Sequence, residues 1–217
     1  VGAAILLENG ETLADITIAY QSWGTLSAKK DNAILINHAM TGWSDVTSWW
    51  PNMVGPGLPF DTDKYFIVCP NVIGGCQGST GPSSIAPDGK RYGSRFPTLT
   101  VRDMAEAEIL FSDAIGIKKY LLAVGPSLGG MRSLEWAIEH PDRVGVICTI
   151  GSSAVATGDQ IGGFSVQIRA IKSDPNFNGG DYYEQEVGPI EGMGIARRIA
   201  HLTYRTESEM DVRFGRQ

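Results

Sequence analysis

Ala123-Val124-Gly125-Pro126-Ser127-Leu128-Gly129-Gly130 is the stretch that decides how this chain folds. Ahead of it, Tyr120-Leu121-Leu122-Ala123-Val124 reads as a fully buried strand. Behind it, Met131-Arg132-Ser133-Leu134-Glu135-Trp136-Ala137-Ile138 places apolar residues at helical spacing. Gly-x-Ser-x-Gly between a strand and a helix is the setting a nucleophile elbow requires. The small residues have a mechanical role. The turn is sharp enough to strain the serine backbone, and side chains beside it would collide with the adjoining strand and helix. The hydroxyl is then held at a helix N-terminus, where the backbone dipole favours developing negative charge. A serine that merely caps the helix is the bland alternative; the strand before and the helix after favour a nucleophile.

Outward from the elbow, strand and helix signals alternate. Ala3–Leu7 and Ala14–Tyr20 read as antiparallel strands around the turn at Asn9-Gly10. Ala33–Asn37 and Tyr65–Cys69 are apolar enough for central parallel strands. A Gly/Ser/Pro-rich loop runs from Asn71 to about Pro97. Thr100 to Ile115 then reads as an amphipathic helix, with Thr100 as cap, Asp103 as early negative charge, and Met104, Ala107, Leu110 and Phe111 as the buried stripe. Pro141 closes the helix after the elbow, and Val144–Ile150 is a further buried strand. Beyond Gly151 the pattern is helical with glycine breaks. The reading is an α/β fold, a mostly parallel sheet with helices on both faces.

Composition narrows the function classes. The 217 residues suffice for an α/β domain with a sizeable core, and the net charge of −6 with no basic run gives nucleic acid or an anionic membrane no electrostatic support. Cys69, Cys76 and Cys148 form no CxxC pair; Cys69 and Cys148 lie in apolar strand runs and read as buried, reduced thiols. With no signal peptide and no bilayer-length apolar run, the expected location is the cytoplasm. No metal-ligand spacing stands out.

His38-Ala39-Met40-Thr41-Gly42 follows the strand that ends at Asn37. Elbow enzymes take one oxyanion N–H from the residue after the nucleophile and another from the loop after an earlier parallel strand. Those donors are the backbone amides of Leu128 and Met40, each stabilising a tetrahedral intermediate by about 3 kcal/mol. The alternative for the loop is an ordinary turn.

These residues carry a family resemblance. His38–Gly42, Gly55-Pro56-Gly57, Asp61–Phe66, Gly74–Ser84, Phe96-Pro97, Thr100–Met104, Gly129-Gly130-Met131, Leu134-Glu135-Trp136, Ala196-Arg197 and Thr203-Tyr204 run in order along nearly the whole chain. The chain resembles the homoserine O-acetyltransferase family, acyltransferases of the α/β-hydrolase fold in methionine biosynthesis. Pro126 is a departure, since the family more often has glycine there. The resemblance implies a ping-pong reaction with acetyl-CoA as donor substrate and L-homoserine as acceptor, and no permanently bound cofactor. It also implies that Arg197 and Tyr204, two helical turns apart, hold the amino acid, the guanidinium forking onto its carboxylate. On residues alone a helix arginine reads as a solvated face, as for Arg198. The Gly75–Ser84 loop reads otherwise as a packed loop, and Arg102 and Asp103 as helix braces. The family further implies a homodimer formed through lid helices.

The resemblance places residues 1–155 in the hydrolase core and 156–217 at the start of a helical lid. The fold orders its triad Ser, Asp or Glu, His along the chain. His38 precedes the nucleophile, His140 sits at a helix end, and His201 lies between Arg197 and Tyr204. No triad Asp or His is therefore identifiable, and the expectation is an N-terminal portion lacking the last strands. A succinyl donor, another serine-type acyltransferase or esterase, and a non-catalytic truncated chain stay open as alternatives.

Overall fold

The computed structural model describes residues 3–216, and its elements follow the apolar runs of the sequence. In chain order they are β1 (Ala3–Leu6), β2 (Thr12–Ile16), β3 (Tyr20–Trp23), β4 (Ala33–Ile36), α1 (Val46–Trp49), β5 (Val54–Gly55), β6 (Phe60–Asp61) and β7 (Phe66–Pro70). Then come α2 (Val101–Ala114), β8 (Tyr120–Pro126), α3 (Leu128–Glu139), β9 (Val144–Ile150), α4 (Gly158–Lys172), α5 (Ile190–Thr203) and α6 (Glu207–Phe214). Among the described residues no helix is long and apolar enough to cross a membrane.

The central sheet has the order β3-β7-β4-β8-β9. Only β3 runs antiparallel, against β7; the β7–β4, β4–β8 and β8–β9 pairs are parallel. Alternation along β4 explains how both faces are covered. Ala33 and Leu35 belong to one core with Ala105, Ile109 and Phe111 of α2 and Trp136 of α3. Ile34 and Ile36 belong to the other, with Val46 of α1 and with Val54 and Phe60 of the small β5–β6 sheet.

Several expectations are corrected. The run Ala14–Tyr20 is divided between two strands: Asp15, with a positive φ of 52°, makes an irregularity within β2, and residues 17–19 leave the β1–β2 hairpin. Their backbone bonds instead to the Gly-Ser-Thr loop: the Thr17 amide to Thr80 Oγ1 at 2.8 Å and the Ala19 amide to Ser79 Oγ at 3.0 Å. The buried stripe of α2 is rotated, with Asp103, Ala105, Glu108, Ile109 and Ser112 inside alongside Ala107 and Phe111, while Met104 and Leu110 are half-buried. Polar partners across the interface, described below, draw Glu108 inward. Within β8, Leu121 is exposed. Strand β9 is buried only at Val144, with Ile147 half-buried. Among the described residues it is the last strand of the sheet, so Val146 is 62% exposed and Cys148 is exposed, whereas Cys69 in central β7 is buried as expected.

The Asp103 reading holds. Thr100 and Asp103 form a reciprocal capping box, and the second oxygen of Asp103 accepts the Glu8 amide at 2.9 Å. The chain divides into two compact units. One comprises residues up to Ser84 together with Arg95–Ala154; the other comprises Ile85–Ser94 with the residues from Val155 onward. In the second, Ser94 and Asp181 bond through two contacts of 2.7 and 2.9 Å, tying the 85–94 segment to the helical part.

Candidate active site

Ser127 joins β8 to α3 with φ 53° and ψ −122°, a region that side-chain-bearing residues rarely occupy. Its hydroxyl makes no capping bond to the helix, so the serine is not an N-cap in the ordinary sense. Other groups hold its backbone in place. The Ser127 amide donates to the Ile150 carbonyl at 2.9 Å, and Ser152 Oγ donates to the Ser127 carbonyl at 2.8 Å.

The glycines allow the close approach. A Cβ at Gly129 would stand 1.9 Å from the Asn37 carbonyl oxygen, and one at Gly125 would stand 2.3 Å from the same atom. At Gly130 it would meet Ser152 Cβ at 2.7 Å. The collision foreseen in the sequence is therefore specific: the end of β4 lies against both sides of the elbow. Pro126 is the last residue of β8, opposite Ile150, and is half-buried.

Leu128 is the first residue of α3, where an amide has no carbonyl one turn behind it to bond. Met40 lies in the turn after β4, its side chain exposed. Two donors meet on the Ala39 carbonyl: the Gly42 amide at 2.9 Å and His38 Nδ1 at 2.7 Å. The direction of the imidazole bond follows from the other ring nitrogen. Nε2 lies 3.1 Å from the Val72 amide and must accept its hydrogen, so the proton resides on Nδ1. In a planar trans peptide the C=O and the following N–H point in opposite directions. Fixing the Ala39 carbonyl on His38 and Gly42 therefore directs the Met40 amide away from them. Burial, reinforced by the Arg132 charge and opposed by the Ala39 bond, lowers the His38 pKa to about 4. This histidine is a neutral structural group at ordinary pH.

Beside this loop lies a recess of about 80 Å³ lined by residues including Met40, Thr41, Asn71 and Gln77, well below the roughly 300 Å³ of a small-molecule pocket. Asn71 shapes its wall, accepting the Ser44 amide at 2.6 Å and donating to the Gln77 carbonyl at 2.6 Å. Behind the loop runs a buried ionic network. Arg132 of α3 donates to Glu108 of α2 and to the His38 carbonyl at 2.6 Å. Trp136 Nε1 donates to the other Glu108 oxygen at 2.9 Å. Burial pushes the Glu108 carboxyl up in pKa, against the pull of Arg132 and the indole. The sequence reading did not single out Glu108 or Arg132. Their signal was a charge on the core-facing stripe of two successive helices.

His140, the other histidine of this unit, caps the far end of α3 and lies 2.6 Å from Glu106. Twelve helical residues, about 18 Å, separate it from Ser127. In the second unit, Arg197, Arg198 and His201 share a cavity of about 510 Å³ with Leu202, Met210 and Phe214. Arg197 and Arg198 are both exposed, so exposure alone does not separate them. Tyr204 caps the C-terminus of α5, is 71% exposed and stands outside the residues lining that cavity. Among the described residues, no group of three or more His, Cys, Asp or Glu side chains is arranged to hold a metal ion.

A strained serine between a parallel strand and a helix defines the class, and the comparisons agree with it. A family model described as the alpha/beta hydrolase fold matches residues 32–217, and the chain belongs to that family. Among curated proteins it is similar to the homoserine O-acetyltransferase of Thermobifida fusca, 49% identical over 221 residues, covering 97% of this chain and 58% of that protein. Among solved structures it resembles a homoserine O-acetyltransferase from Bacillus anthracis, with 28% identity and a TM-score of 0.89 over 99% of this chain and 61% of that one. It also resembles esterase E22, with 26% identity and a TM-score of 0.87 over 96% of this chain and 61% of that one. The chain thus spans about three-fifths of the length of these relatives.

Proposed function

We propose that this chain carries the nucleophile of an acyltransferase that moves an acetyl group from acetyl-CoA to the hydroxyl of L-homoserine, a step of methionine biosynthesis. The observation that carries the reading is the Ser127 backbone, held at positive φ between β8 and α3 with a hydroxyl that caps nothing. Similarity to homoserine O-acetyltransferases supports the substrates. Ser127 Oγ attacks the thioester carbonyl as its proton passes to a base, the carbonyl oxygen takes the negative charge, and the coenzyme A thiolate departs. Homoserine oxygen then attacks the acyl-serine, loses its proton and leaves as the O-acyl ester, restoring Ser127. The amides of Leu128 and Met40 stabilise the oxyanion in both halves. His38 and His140 are engaged elsewhere, so the base comes from outside this unit's histidines. Arg197 binds the homoserine carboxylate, with Tyr204 beside the amino acid. The route uses acetyl-CoA as a substrate and no resident cofactor or metal. The protein works in the cytoplasm as a homodimer joined through its lid helices.

The test is intact mass spectrometry of the protein expressed from its full reading frame after mixing with acetyl-CoA. An adduct of one acetyl group is expected on the parent and absent from Ser127→Ala, whose thermal unfolding should match the parent. An adduct persisting on the alanine variant would overturn the assignment. A second reading, ester hydrolysis, is supported by the similarity to esterase E22. It shares the acyl-serine and differs in the acceptor. Release of acetate that homoserine does not suppress would select it.

A further inference from the structure

Two charges lie in the core of the first unit: Arg132 is 0% exposed and Glu108 2%. Taking two ions out of water is costly, and well-packed apolar residues in their place would join two helices at least as firmly. Arg132 Nε also has no partner, so the pair is not optimised as a packing element. What an apolar pair could not supply is a hydrogen-bond donor inside the core. Arg132 supplies one, and its second terminal nitrogen reaches the His38 carbonyl at 2.6 Å.

We propose that the Glu108–Arg132 pair is a positioning device for the oxyanion hole, tying the loop that carries Met40 to the helix that carries Leu128. The inference rests on the reading of those two amides as the oxyanion donors. Arg132 stands one turn beyond Leu128 on α3, so its bond to His38 links the two donors through one rigid helix. Glu108 sets the direction of the guanidinium and is itself held from α3 by the Trp136 indole. Two successive peptides of the loop are then locked. Arg132 draws the His38 carbonyl inward, and the His38 imidazole with the Gly42 amide fixes the Ala39 carbonyl. Peptide planarity leaves the Met40 amide one direction to face. The guanidinium and the burial around it also keep His38 in the neutral form that accepts the Val72 amide.

Arg132→Met alone would strand Glu108 as an unpaired buried charge and threatens folding. The informative variant is therefore Glu108→Gln with Arg132→Met, which removes both charges, nearly keeps side-chain volume and leaves an amide oxygen to accept the Trp136 indole. In the protein expressed from its full reading frame, thermal unfolding should stay cooperative and within about 5 °C of the parent's, the His38 carbonyl having lost one donor. Acylation of Ser127 by p-nitrophenyl acetate should lose about 10–100-fold in kcat, with KM changed less than about threefold. Hydrogen exchange at the Gly42 and Val72 amides should accelerate by about tenfold or more, because their acceptors, Ala39 and His38, are no longer anchored. A stable double variant that acylates at the parent rate would overturn the proposal. So would a slowed variant whose Gly42 and Val72 amides stay protected. If the parent forms no acyl-serine, the acyltransferase reading fails on its own; the exchange measurement still decides, since unchanged protection removes the clamp.

Discussion

His38 shows how a residue type that suggests catalysis becomes part of the frame. Both its ring nitrogens are committed to backbone groups, and it is buried beside a guanidinium. Its pKa of about 4 in the fold lies below the ordinary 6.5, so between those values the unfolded chain binds a proton that the native protein refuses. Stability is therefore expected to be full above pH 6.5, to fall as pH drops towards 4, and to lose roughly 3 kcal/mol from this group across that window. Urea unfolding at pH 7.5, 6, 5 and 4 measures it. A His38→Asn variant, which lacks the titration, should show a shallower slope, and an unchanged slope would remove His38 as the cause.

At the scale of elements, the elbow depends on how closely β4, β8 and α3 approach. Gly129→Ala drives a methyl into the Asn37 carbonyl, a backbone atom that cannot rotate away, and should destabilise the protein by about 3 kcal/mol. Gly162→Ala, in the middle of α4 with open space around the new Cβ, should instead stabilise by about 0.5–1 kcal/mol through helix propensity alone. Chemical denaturation of the two variants separates steric from entropic glycine. A mild effect at Gly129 would mean that the strand and helix can part, and that the elbow is not locked.

Across the whole molecule, the residues named in the proposed chemistry fall in two units. The first bears Ser127 with its amides; the second bears Arg197 in a cavity with Arg198 and His201. This division predicts a split kinetic phenotype. Arg197→Ala should raise the KM for homoserine by about tenfold or more, since a carboxylate loses a charge-assisted partner, while acylation of Ser127 by acetyl-CoA changes little. Stopped-flow acylation and steady-state transfer to homoserine distinguish the two steps. Unchanged homoserine kinetics would assign the carboxylate to another cation, with Arg198 the neighbour to test.

The sequence by itself determined the main parallel strands and the helices between them, the elbow and the need for glycine around it, but not β3, α1 or the β5–β6 pair. Each of these rests on local rules: apolar runs, turn residues and the space beside a sharp bend. The Thr100–Asp103 box was legible for the same reason, since both partners lie within one helical turn. What only the tertiary structure decided depends on partners far apart in the chain. The Ala14–Tyr20 run is divided because Ser79 and Thr80 offer hydroxyls to its backbone some 60 residues away. Strand β9 reads as buried, but among the described residues only β8 flanks it, and burial depends on neighbours, whereas apolar composition is a property of the strand alone. Glu108 turns inward, against the expected helix face, because Arg132 and Trp136 wait across the interface. A buried charge is tolerable only when its partners are in place, and the chain places them by folding.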